Sequence, residues 1–90
     1  MIHPGQCFIT RSSYGDGADS WLTYCRVRRV IAGFAECHQF EITSTGCHRL
    51  FLATPIAIAA LEARTEISET MWQHHFDLFM ASISNPWNVE

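Results

Sequence analysis

Two Cys-His dipeptides, Cys37-His38 and Cys47-His48, place four soft ligands close together in the chain. Thiolate and imidazole at short spacing suggest zinc. Strand geometry argues against it. Neighbours in a strand point to opposite faces, so each dipeptide offers one ligand per side. In the pairing derived below, His38 stands opposite Leu52, four residues beyond His48. At about 3.3 Å per residue that is roughly 13 Å, too far for one ion. His74-His75 with Asp77 is no better, because HExxH needs two histidines four apart on one helical face. Adjacent residues point about 100° apart on a helix. A partly buried His75 and an exposed His74 near Asp77 are expected instead. Asp16-Gly17-Ala18-Asp19 lacks the alternating oxygen ligands and closing glutamate of a calcium loop. Neither GxxxxGK[ST], GxGxxG nor a G-x-S-x-G elbow occurs. No metal, cofactor or catalytic group is expected.

The arginines carry the remaining polar chemistry. The six basic residues are all arginine, and the formal net charge is −3. Residues 1–53 hold five arginines against four acids, whereas residues 54–90 hold Arg64 against five acids. Guanidinium groups clamp carboxylate or phosphate bidentately, and arginine and tyrosine are favoured at interface hot spots. Tyr24, Arg26, Arg28, Glu41 and Arg49, with Gln39 among them, form the candidate binding face. A net acidic chain is poorly suited to sequence-independent nucleic-acid binding, and Tyr24 alone would be available for base stacking.

The elements that position these residues begin with Phe34–Ala53, two alternating runs around Ser44-Thr45-Gly46. Glycine at the last position of a three-residue loop takes the left-handed conformation without steric cost. That register sets Ile42 opposite His48, Glu41 opposite Arg49, Phe40 opposite Leu50 and His38 opposite Leu52. His38, Phe40, Ile42, His48, Leu50 and Leu52 then share an apolar face. Cys37, Gln39, Glu41, Thr43, Cys47 and Arg49 share the other. Residues 6–11 read as a first strand and Ser12–Ser20 as a connector. Trp21–Ile31, rich in aromatic and β-branched residues, reads as the longest strand, turning at Ala32-Gly33. Pairing Ile31 with Phe34 places Arg29 opposite Glu36, Val27 opposite His38, Cys25 opposite Phe40 and Thr23 opposite Ile42. Trp21, Cys25, Val27 and Ile31 would join the apolar face, with Tyr24, Arg26 and Arg28 on the polar one.

The chain then changes character. Thr54-Pro55 is a helix-start signal, Ile56–Ile83 contains no glycine or proline, and Asn85-Pro86 is a stop. One helix of about 28 residues would be roughly 42 Å long, overhanging a domain of this size. A break near Thr65–Ser68 is expected, with Thr65 or Ser68 capping the second piece. Ile67, Met71, His75 and Leu78 form one stripe. Trp72, Phe76, Phe79, Met80 and Ile83 form a second, broader than one sheet-covering face requires. The second stripe is the candidate dimerisation surface.

Hydrophobic content of 48% with 17% charged residues predicts a packed core. Residues 1–90 are expected to form one α+β domain: an antiparallel three- or four-stranded β-meander (β part 6–53) packed on one face by a long or broken C-terminal helix (helical part 55–84). The longest apolar run, Ile56–Leu61, falls far short of the roughly 20 residues that span a bilayer. The N-terminus shows no secretory pattern. A cytoplasmic location is expected, with Cys7, Cys25, Cys37 and Cys47 as free, largely buried thiols. The leading expectation is a non-catalytic protein-binding module, a homodimeric inhibitor or adaptor. Phages and mobile elements use small, motif-poor chains of this kind to block host enzymes, anti-CRISPR inhibitors among them. The alternative is a nucleic-acid-binding module using the arginine face, followed by a small Cys/His enzyme or zinc protein.

Overall fold

The structure is a computed structural model describing residues 1–13, 20–43 and 48–84. The expected connector around Asp16, the Ser44-Thr45-Gly46 turn, Cys47 and the Asn85-Pro86 stop lie outside the described residues, as do the side chains of Arg49 and Ile83.

Strands β1 (Cys7–Ser13), β2 (Ser20–Ile31), β3 (Phe34–Thr43) and β4 (His48–Ala57) form an antiparallel meander. Helix α1 (Ile58–Glu62), the short strand β5 (Thr65–Ile67) and helix α2 (Glu69–Ser84) follow. The sheet order is β4-β3-β2-β1-β5, with β5 antiparallel to β1. The α+β architecture is as expected, with one more strand than the meander.

Ala32 (φ 47°) and Gly33 (φ 86°) turn β2 into β3. Left-handed conformations at both turn residues match the right-handed twist of the flanking strands. Ile31 pairs with Phe34 and Arg29 with Glu36, as expected. Between Val27 and Arg29 the register then shifts, and Arg28 is the extra residue. Val27 pairs with Cys37, Cys25 with Gln39, Tyr24 with Phe40 and Leu22 with Ile42. This corrects the expected pairs of Val27, Cys25 and Thr23, because one inserted residue moves every side chain before it to the opposite face.

Both sheet faces are consequently apolar. On one, Tyr24 stacks on Phe40 with ring centroids 4.7 Å apart. Trp72 and Phe79 of α2 pack there with Cys7. On the other, Phe8, Cys25, Val27, Ala35, Cys37 and Ile56 pack under Leu61 of α1, with Ile2 and Ile58 at the margin. The expectation of a single covered face is therefore corrected to a sheet with cores on both sides.

The β3–β4 register matches expectation at Glu41–Arg49, Phe40–Leu50 and Ile42–His48. It shifts between Gln39 and Cys37, so that Cys37 pairs with Thr54. Ala53 takes φ 57° on the strand facing this shift. Thr54-Pro55 is strand, not helix start: β4 runs on to Ala57 and buries Ile56 beside Ala35. Proline is tolerated there because β4 is an edge, where a missing N–H removes no ladder bond. Helix α1 has no side-chain cap, and the Ile58 N–H donates to the Gly33 carbonyl at 3.1 Å. The helical region does break near Thr65–Ser68. Thr65–Ile67 becomes β5, and Ser68 Oγ accepts the Met71 N–H at 3.0 Å, capping α2. Among the described residues no helix is long and apolar enough to cross a membrane.

Candidate functional site

Helix α2 covers only part of its sheet face, and Arg26 marks the limit. Its guanidinium lies 4.9 Å from the Trp72 ring centroid, donates to Gln73 Oε1 at 3.2 Å and sits 3.9 Å from Glu69 Oε2. Beyond Arg26 the face is open. His38 pairs with Arg26, then come Arg28, Arg29 and Glu36, and finally the Ile31–Phe34 pair beside the turn. Pro55 and Ala57 of β4 stand opposite Glu36 and Phe34 and are exposed.

The Arg28 bulge shapes this surface. A regular strand would send consecutive residues to opposite faces, whereas a bulge re-aims one of them. Both arginines therefore reach the same carboxylate. Arg29 Nε and Nη2 donate to the two Glu36 oxygens at 3.1 and 3.2 Å, and Arg28 Nη1 lies 4.0 Å from Oε1. The hydrogen bond from Arg29 holds the Glu36 carboxyl below the usual carboxylate range, with both arginines adding to the effect. Desolvation, then the charges of Arg28 and Arg26, hold His38 below the ordinary imidazole value. Arg28 itself is half-exposed, so one guanidinium remains reachable beside two exposed apolar side chains, Ile31 at 49% and Phe34 at 53%. An open groove of about 290 Å³ runs from Arg28 and His38 past Arg26 to Glu69 and Pro4. The surface can receive a carboxylate or phosphate next to an apolar group.

The five residues expected to share a binding face are divided. Arg26 and Arg28 are on this face. Tyr24 is on the same side but buried against Phe40. Glu41 is on the other side, where it accepts from Thr23 Oγ1 at 3.5 Å, and Arg49 is its register partner. Gln39, also on that side, is buried and accepts from Arg64 Nη1 at 3.1 Å. Sequence reasoning missed Arg29, Ile31 and Phe34 as site residues. The available signal was the run Arg28-Arg29-Val30-Ile31, where two arginines abut an apolar turn. Of the expected dimerisation stripe, Trp72 and Phe79 are buried against the sheet, whereas Phe76 and Met80 are only partly covered.

The described thiols, Cys7, Cys25 and Cys37, are free and buried. Burial pushes Cys7 up to about 11, and the hydrogen bond with Cys37 together with burial pushes Cys25 up as well. Among the described residues no group of His, Cys, Asp and Glu is placed to hold a metal ion. Comparison with protein-family models, with curated proteins and with solved structures returns no match to this chain.

Proposed function

We propose that this chain is a non-catalytic protein-binding module, a small cytoplasmic inhibitor or adaptor that acts by occupying a partner's surface. A host enzyme blocked by a phage- or mobile-element-encoded inhibitor is the setting such a chain fits. The observation that carries the reading is the joint exposure of Ile31 and Phe34, a directly opposed cross-strand pair, beside Arg28 and Arg29. Exposed apolar clusters rimmed by polar groups are what docking surfaces present, and aromatic and arginine side chains dominate hot spots. The complementary partner surface offers an apolar pocket with a carboxylate at its rim. Self-association belongs to the same reading, supported by the partly uncovered Phe76 and Met80 of α2.

Affinity capture from a native lysate, with and without nuclease and washed at physiological salt, tests this reading. The expected result is a defined protein that survives nuclease and is lost with Phe34→Asp or Arg28→Glu. A hot-spot loss of about 2 kcal/mol corresponds to roughly thirtyfold weaker binding. Recovery of nucleic acid alone, weakened by charge reversal at Arg26 and Arg28 and by salt, would replace it with the nucleic-acid-binding alternative.

A further inference from the structure

The edge of β4 is a second surface, distinct from the arginine face. Among the described residues only β3 pairs with β4, which leaves the outer backbone groups of β4 facing away from the sheet. Proteins block such edges with proline, bulges or charged side chains, lysine above all, because an open edge is a template for another strand. The left-handed Ala53 and Pro55 stand in the second half of β4, and Arg49 is the one charged residue before them. The stretch His48–Leu52 has no proline, and the whole chain has no lysine. Leu50, opposite the fully buried Phe40, is 37% exposed. Phe76, with its ring 5.6 Å from that of Phe40, and Met80 one turn later are both partly uncovered.

We propose that β4 pairs antiparallel with β4 of a second copy across a two-fold axis at Leu50, joining two sheets into one. This rests on the self-association proposed above and locates it. The register is self-complementary. Leu50 meets Leu50 of the second copy, Arg49 meets Phe51 and His48 meets Leu52, so no like charges stand opposite one another. The two Arg49 backbones come no closer than roughly 8 Å, and Glu41 is the register partner of Arg49 within its own chain. Leu50, Phe76 and Met80 lie on the same side of the sheet, where pairing covers them together.

Sedimentation across a micromolar dilution series is the test. Wild type is expected at twice the monomer mass of 10.2 kDa. Leu50→Lys and Leu50→Glu each place like charges face to face across the axis, so each alone is expected as monomer. Their equimolar mixture is expected to regain the dimer mass. Variants that remain dimeric overturn the edge pairing while leaving self-association standing. A wild type that stays monomeric overturns both, without touching the arginine-face reading. Should a variant lose its circular dichroism, amide exchange in the wild type decides. Protection within 48–52 that grows with concentration supports the pairing, and concentration-independent exchange overturns it. Protection gained only when a different protein is added marks β4 as a receptor for a foreign strand and likewise overturns it.

Discussion

At the scale of single residues, Arg28 decides what this face can bind. As the extra residue of the bulge it joins Arg29 on the Glu36 carboxylate, yet its 4.0 Å separation leaves it the looser of the two. The same cluster makes stability depend on pH through His38. The unfolded imidazole protonates near 6.5, and the folded one only at lower pH, because burial and the guanidinium groups of Arg28 and Arg26 oppose the added charge, with Glu36 partly offsetting them. The unfolded chain therefore binds the proton first, and this contribution to stability is intact above 6.5 and lost as pH falls below it. The urea midpoint of the wild type should drop between about pH 7.5 and 5.5, and His38→Gln should flatten that drop. An unchanged slope in the variant would remove His38 from the account. Glu36 acts in the same direction at lower pH, its contribution being lost as pH falls through its depressed value.

At the scale of elements, each turn and cap is a local problem with its own solution. Ala32 holds φ 47° at a position where asparagine or glycine would be less strained. Ala32→Asn should raise stability by about 0.5–1 kcal/mol in urea unfolding, provided the two-residue turn is retained. The Ala32-Gly33 turn, the Glu41–Arg49 register and the Ser68 cap were legible in the sequence because each is set by neighbours in the chain. The two bulges were not. A shift at Arg28 is favoured only once Tyr24 can stack on Phe40 and Cys25 can sit beside Cys37 on the far face, and that competition is tertiary. Thr54-Pro55 misled for a related reason: the dipeptide suits both a helix start and an edge strand, and Ile56 packing beside Ala35 settles which forms. The candidate site was half legible. Arg26 and Arg28 were seen, but their apolar neighbours Ile31 and Phe34 were assigned to the element and not to the surface.

At the scale of the whole molecule, one sheet separates two cores, and neither core survives without it. Leu61→Ala, on the α1 side, should cost about 2–5 kcal/mol, and Phe79→Ala, on the α2 side, about 3–5 kcal/mol. Because Cys25 and Tyr24 are neighbours on one strand facing opposite cores, both losses should lower the same single transition. Separate transitions followed by fluorescence and circular dichroism would show instead that the two layers unfold independently.

The pairing of β5 with β1 has a consequence for the order of assembly. Gln6 and Glu66, 60 positions apart, meet at this junction, and Cys7 pairs with Ile67. Closing so long a loop carries an entropic cost that hairpin contacts avoid. The β2–β3–β4 hairpins can therefore zip while β1 still has one bare flank. During synthesis that flank stays unpaired until residue 67 has left the ribosome, so a chain halted at residue 64 would expose β1 beside a finished meander. The α2 layer follows β5 directly through the Ser68 cap, so closing that flank brings α2 to the face that carries Tyr24 and Phe40.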